Sequence, residues 1–350
     1  MCARELAFPF LVNSWLRSAA GNRIMPRPHL REARGPTVPA QTRRQWLRDA
    51  ATGLAAVALT DSFASAVEPA KPFRFGFGQY GMLSLSNADY LKTCIAIGYD
   101  CVEFAPQPGW PADPKSLTAA GRRELRDRMA DAGLVLSSLL VGVREPAPDP
   151  AHATNLDTFK ACAELGHDLA PGKSPVMVTN LGGKPEDWDK VRDGVAEHLA
   201  AWADVARASK AVIALKPHAK SALHTPEGGK WVLDKVNSPW LRLAYDYSHY
   251  SVQGLKLADT ISALVPHAAM VHLKDAKGTP DKLEFLLPGD GSTDYSLYAK
   301  LLREADYQGP LVVEVSNQIS KRPGYDGAAA AKACYSKLAP ALGHKRPAPR

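Results

Sequence analysis

The chain lacks several things that would narrow its chemistry at once. Its five cysteines, Cys2, Cys94, Cys101, Cys162 and Cys334, show neither C-x-x-C nor zinc-knuckle spacing, which argues against a thiolate metal centre. No apolar run approaches the ~20 residues of a membrane-spanning helix; the run from Ala50 to Leu59 is short and only weakly apolar. No glycine-rich phosphate loop opens a helix, because Gly76-Phe-Gly78-Gln-Tyr-Gly81 lies within and just past a strand-like run, and no nucleotide cofactor is expected. Charge is missing too. The formal net charge is +7, but beyond Ala66 the chain carries 34 basic against 32 acidic residues, a balance without the electrostatic footprint of a nucleic-acid binder.

The basic excess sits at the start. Thr42-Arg-Arg-Gln-Trp-Leu-Arg48 is followed by the weak apolar run and by Ala64-Ser65-Ala66, the charged, apolar and small-residue sequence of an export signal whose paired Arg43 and Arg44 specify the twin-arginine type. The competing reading is an ordinary basic helix start. The expectation is a leader over 1–66 cleaved after Ala66, a linker over 67–72, a periplasmic mature protein and a disordered basic tail over 341–350; Met25 would give the leader a more usual length. Cys94 and Cys162 fall in helical patterns and Cys101 in a strand pattern, so buried free thiols are expected although export would permit disulfides.

From Pro72 onward short β-rich apolar runs alternate with longer amphipathic ones. The predicted strands are Phe73 to Tyr80, Tyr99 to Ala105, Leu134 to Val141, Pro175 to Asn180, Ala211 to His218, Leu241 to Ser248, Ala268 to Asp275 and Pro310 to Ser316. Helical patterns lie between them at about Asn87 to Ile97, Leu117 to Ala132, Leu156 to Leu165, Glu186 to Ser209, Pro226 to Val236, Leu257 to Leu264, Tyr295 to Ala305 and Asp326 to Leu338, and the Asp-Ala-Gly at 131 to 133 reads as a helix end. Eight β-then-α units predict an α/β fold, a single-domain (β/α)8 TIM barrel over 73–340, with an open doubly wound sheet as runner-up. Arg144 to Pro150 reads as an extended loop.

In such a barrel chemistry sits at the carboxyl ends of the strands. Here they finish in Glu103, in Lys216 and His218, in Asp246 and His249, in His272 and Lys274, and in Glu314. Each alone has a bland explanation, but four consecutive ionisable endings argue for a shared centre, since an unpaired buried carboxylate costs several kcal/mol. Asp246, His272 and Glu314 form a hard oxygen and imidazole set suited to Mn²⁺, Mg²⁺, Zn²⁺ or Fe²⁺. Such an ion would polarise a sugar carbonyl while a carboxylate or imidazole moves the neighbouring proton.

The pattern resembles the xylose-isomerase-like barrel superfamily, the sugar phosphate isomerase and epimerase group. The likeness spans roughly Phe73 to Leu338 and rests on LRLAYDYSHY at 241 to 250, MVHLKDA at 270 to 276, LLPGDGSTDY at 286 to 295 and LVVEVS at 311 to 316. By that resemblance Asp246, His272 and Glu314 match metal ligands, Glu314 is also a candidate general base, His249 matches a substrate-contacting histidine and Glu103 a pocket acid. The family's fourth ligand is a glutamate closing the fifth strand, and here that position is Lys216. Three outcomes stand open: Lys216 swings aside and three ligands hold the ion; its ammonium replaces the ion between Asp246 and Glu314; or it is desolvated enough to act as base or Schiff-base amine.

Lys274 shares a face with His272 and is a candidate contact for an acidic sugar or a partner of Glu314; His218 and Asn180 are candidate hydroxyl contacts, and Tyr80 or Trp110 candidate stacking platforms. Asp275 is expected to pair with Lys277 at the surface, and Arg322 to reach an anionic group or stay solvated. The expectation is an enzyme abstracting a proton next to the carbonyl of a free or oxidised sugar, by isomerisation, epimerisation or elimination. The competing expectation is a silent or carbohydrate-binding barrel that lost its ion through Lys216. The abasic-site endonuclease that shares this barrel would need more strand-end histidines and a basic face. No membrane partner is expected after signal cleavage, and a homo-oligomer is compatible with the sequence.

Overall fold

The computed structural model describes residues 72–144 and 151–345. Eight parallel strands close into a barrel: β1 (Phe75–Gly78), β2 (Cys101–Phe104), β3 (Val135–Leu140), β4 (Val176–Thr179), β5 (Val212–Leu215), β6 (Leu241–Asp246), β7 (Ala268–Leu273) and, after two further short strands, β10 (Leu311–Val313). Their order around the barrel is β1-β10-β7-β6-β5-β4-β3-β2, the right length and connectivity for a TIM barrel. This is the expected (β/α)8 barrel, and the runner-up, an open doubly wound sheet, is thereby excluded. The leader over 1–66, most of the 67–72 linker and the 145–150 loop lie outside the described residues.

The strands are mostly short apolar runs such as Val-Ile-Ala-Leu in β5, as parallel strands covered on both faces require. Side chains alternate between two cores. The inner one takes Cys101, Leu140, Val178, Ala214, Ala244, Met270 and Val312, one from each strand except β1. β1 offers Gly76 instead, where an added Cβ would press on the Cys101 carbonyl oxygen and lie 2.6 Å from its Sγ. The outer core, including Phe75, Phe77, Leu215, Tyr245 and Val313, packs under the helices.

Eight principal helices form the outer layer: α1 (Asn87–Ile97), α2 (Ala119–Ala132), α3 (Ala151–Leu169), α4 (Trp188–Ala208), α5 (Pro226–Val236), then, after the one-turn α6 (Ser248–Ser251), α7 (Leu257–Leu264) and α8 (Tyr295–Glu304), and, after the one-turn α9 (Asn317–Ser320), α10 (Gly327–Leu342). Side-chain caps fix several starts: Ser86 accepts from Asp89 N, Thr118 from Gly121 N and Thr225 from Gly228 N. Gly133 ends α2 at φ 67, the left-handed cap expected of Asp-Ala-Gly. α4 buries Val195, Leu199, Trp202 and Ala206 on one stripe.

Three differences from the sequence expectation stand out. The hydrogen-bonded strands stop earlier than their apolar runs, so that Lys216 and Glu314 follow directly on β5 and β10. After β7 the chain forms a two-stranded antiparallel ribbon, β8 (Asp275–Lys277) with β9 (Glu284–Leu286), which was not foreseen. The last helix runs to Leu342 and His344 is buried against Phe75, so the chain expected to form a tail from 341 starts as packed structure. Cys94, Cys101, Cys162 and Cys334 are free and buried, as expected. Among the described residues no helix is long and apolar enough to cross a membrane.

Candidate active site

Strand alternation assembles the site. Two residues beyond each inner-core side chain the same face comes round again, and there stand Glu103 after Cys101, Lys216 after Ala214, Asp246 after Ala244, His272 and Lys274 after Met270, and Glu314 after Val312. The apolar floor of the barrel therefore carries a polar layer directly above it. All six residues are buried.

One ligand atom each from Asp246, His272 and Glu314 lies within 4.8 Å of the others, the convergence expected of the candidate ligands. Two ammonium groups also meet these atoms. Lys216 Nζ lies 2.6 Å from Glu314 Oε2, 3.3 Å from His272 Nδ1 and 3.7 Å from Asp246 Oδ2. Lys274 Nζ lies 2.8 Å from the same Glu314 oxygen and 2.9 Å from Asp246 Oδ2. The donor set suits a hard divalent ion, but with both lysines in place every inward-facing ligand atom already faces an ammonium. The residues as arranged do not fit a divalent cation.

The remaining contacts fix this cluster. Glu103 Oε2 lies 3.0 Å from His272 Nε2 and accepts from Ser138 Oγ at 2.7 Å. With its proton on Nε2 toward that carboxylate, His272 presents an Nδ1 lone pair to Lys216. Gly78 makes room for this acid, since a Cβ there would stand 3.0 Å from Glu103 Oε1. Asp246 Oδ1 accepts from Ser248 Oγ at 2.6 Å and from Ser248 N at 3.1 Å, at the start of α6. His249 Nε2 approaches Asp246 Oδ2 at 3.3 Å, and its ring lies 4.1 Å from that of His218.

Electrostatics follow from burial and these pairs. Burial would raise the carboxyls of Glu314 and Asp246, but the lysines overcome it: Lys216 and Lys274 hold Glu314, and Lys274 and Lys216, with a hydrogen bond from His249, hold Asp246, well below the usual carboxylate range. Burial would lower Lys274, yet Asp246 and Glu314 push it up to about 12. His249 goes the other way, pushed down to about 4 by burial despite Asp246. His218 is held well below its ordinary value by burial, His249 and Lys274.

A cavity of about 420 Å³ opens above the strand ends, with Lys216, Lys274, His218, Asn180, Tyr80, Arg144, Phe285 and Glu314 in its wall. Glu314 is the only acid among the described residues that line it. Of the residues singled out from sequence, Lys216, His218, Lys274, Asn180, Tyr80 and Glu314 reach the cavity. Asp246, His249, His272 and Glu103 do not line it; Glu103, expected to act on substrate, instead holds His272 from behind. Trp110 lies outside it too, stacked on Tyr80 with ring centroids 5.4 Å apart. Asp275 does not pair with Lys277: it is buried and accepts from Gly289 N at 2.7 Å and Gly291 N at 3.0 Å, while Lys277 pairs with Glu284. Arg322 likewise turns to Glu284 and to the Gln318 carbonyl.

Two participants escaped the sequence. Ser138 sits in the buried Val-Leu-Ser-Ser-Leu-Leu run of β3, where a hydroxyl among apolar neighbours signals a partner to be found. Phe285 of β9 roofs Lys274, whose Nζ lies 4.4 Å from the ring centroid; nothing local in the sequence marks it.

The model of the xylose isomerase-like TIM barrel family matches residues 91–335. The chain belongs to that family. It is 20% identical over 268 residues to L-ribulose-5-phosphate 3-epimerase UlaE of Salmonella typhimurium, covering 72% of this chain and 89% of that one. Among solved structures it is similar to 3-keto-D-glucoside 4-epimerase YcjR of E. coli, at a TM-score of 0.61 and 16% identity over 76% of this chain and 98% of that one. It is also similar to the IolI protein, solved with a bound zinc atom, at a TM-score of 0.65 and 18% identity over 77% and 98%.

Proposed function

We propose that this family member is a sugar isomerase or epimerase-type enzyme that removes a proton next to a carbonyl, with the Lys216 and Lys274 ammonium groups serving where a divalent ion would otherwise polarise the substrate. The relatives named as epimerases support the reaction class. The observation that carries the reading is that both ammonium groups converge on Glu314 Oε2, at 2.6 and 2.8 Å, in the wall of the cavity at the strand ends.

The chemistry follows from charge conservation. A carboxylate so strongly stabilised is a weak base in isolation. As a substrate proton passes to Glu314 Oε1, however, negative charge moves from the carboxylate to the forming enolate oxygen. The two ammonium groups then face an anion before and after the transfer, so their stabilisation is carried over to the enolate. Asp246 keeps Lys274 in place, and Glu103 through His272 keeps Lys216 in place. His218, held uncharged, and Asn180 supply hydrogen bonds to hydroxyls from the cavity wall. The leader read from residues 42–66 would bring the enzyme to the periplasm, which favours a free or oxidised sugar over a sugar phosphate.

Solvent-deuterium incorporation into a panel of ketoses, aldoses, ketoglycosides and uronic acids, followed by NMR, tests this. Exchange by the wild type, lost on Glu314→Gln and reduced about 100-fold or more on Lys216→Ala, is the expected result. Binding of sugars without exchange of any of them would leave a silent carbohydrate-binding barrel and sink the enzymatic reading.

A further inference from the structure

Beside the catalytic cavity lies a second one of about 400 Å³, bordered by Tyr80, Trp110, Tyr325, Asn317, Ser320 and Lys321 among others. Tyr80 and Asn317 belong to the walls of both. The two spaces therefore adjoin across one tyrosine ring and one amide, and each falls in the range of about 300–1,000 Å³ usual for small-ligand sites.

The wall of the second cavity has a particular chemistry. Tyr80 and Trp110 stack with an interplanar angle of 17°. Tyr325 is held by a hydrogen bond from its hydroxyl to the Gly81 carbonyl at 2.8 Å. All three aromatic residues remain partly exposed, so ring surface is still open to a ligand. Asn317 and Lys321 are exposed at the rim. Rigid aromatic surface with a polar edge suits a molecule that is apolar on its faces and hydroxylated at its periphery, which is the description of a sugar ring. Among the described residues the wall has no carboxylate and Lys321 as its one cation, so a neutral ring is favoured over a cationic ligand.

We infer that the substrate is a glycoside or disaccharide rather than a single sugar, with the reacting ring above Lys216 and Glu314 and a second sugar ring against Tyr80, Trp110 and Tyr325. Tyr80 forms the wall between the two rings, and Asn317 reaches the atoms that join them. This rests on the reading of the catalytic cavity as a sugar site and extends it to chain length. It also gives Trp110 a role that its position outside the catalytic cavity would otherwise deny it.

Calorimetric titration of the full chain with matched pairs tests the inference: glucose against cellobiose, galactose against lactose, xylose against xylobiose. In at least one pair the disaccharide binds about 10-fold or more tightly than its monosaccharide, and Trp110→Ala brings that ratio close to one while Trp110→Phe keeps most of it. Circular dichroism of both variants guards against a folding defect. Monosaccharide binding with no disaccharide preference in any pair overturns the second subsite and leaves the sugar reading intact. A preference that survives Trp110→Ala and Tyr325→Ala overturns it as well. Failure of every sugar to bind the wild type removes the sugar reading, and this inference with it.

Discussion

Replacing Lys216 by glutamate tests the central feature of the site through a quantity unrelated to turnover. An ion bonded at about 2.1 Å to Glu314 Oε2 would lie no more than about 4.7 Å from Lys216 Nζ, because that nitrogen is itself 2.6 Å from the oxygen. At an effective dielectric of about 20 the repulsion between a dication and the ammonium is then at least about 7 kcal/mol, or roughly five powers of ten in Kd. Lys216→Glu changes the sign of this interaction and more than offsets the remaining repulsion from Lys274. Lys216→Met removes it without adding a ligand and serves as a second variant should the glutamate disturb folding. After dialysis against micromolar Mn²⁺ or Zn²⁺, mass spectrometry of the metal content should find traces in the wild type and close to one ion per chain in Lys216→Glu, with Lys216→Met between them. Stoichiometric metal in the wild type would refute the reasoning outright, because the ammonium would have to leave a contact of 2.6 Å to admit it.

Two further predictions concern stability. The folded protein holds His249 at about 4, whereas the unfolded chain binds a proton near 6.5; stability therefore falls as the pH drops through that window, by on the order of 2 kcal/mol between pH 7 and 5 for this residue. Urea denaturation at the two pH values checks it, and a Cm unchanged between them, or a slope not reduced by His249→Gln, would contradict it. Gly76→Ala should cost about 2–3 kcal/mol by driving its methyl into Cys101, while Gly194→Ala, at an exposed position of α4 with open space at the Cβ position, should stabilise by about 1 kcal/mol; thermal denaturation of the pair would show opposite shifts.

The barrel was legible because its two periodicities are clean. Alternation of apolar runs with amphipathic segments gives the strand and helix order, and α1, α5 and α7 have the bounds the pattern predicts. The polar layer was legible because Lys216, Asp246, His272 and Glu314 interrupt or end runs that are otherwise apolar. The sequence left three outcomes for Lys216. The contacts with Glu314, His272 and Asp246 favour the one in which its ammonium takes the ion's place, and they bring Lys274 into the same arrangement. What could not be read is whatever depends on chain returning from a distance. β8 and β9 are three residues each, too short for a periodicity, so Phe285 had no signature. Asp275 next to Lys277 invites a local ion pair, whereas one oxygen of its buried carboxylate accepts from two amides fourteen and sixteen residues away. The direction of Trp110 depends on a loop, where neither helical nor strand period applies.

That Asp275 contact has a consequence for how the site can change. By tying Gly289 and Gly291 to the residue that immediately follows Lys274, it closes the excursion through β8 and β9 into a loop anchored at both ends to one side chain. The backbone beneath Lys274 is thus insulated from what the excursion does. Substitutions, insertions or deletions between Lys277 and Leu286 would reshape the roof that Phe285 forms over Lys274, while Asp246 and Glu314 go on holding its ammonium from below. The clasp makes this segment an exchangeable module above the strand ends, and the natural place to graft new preferences onto the barrel.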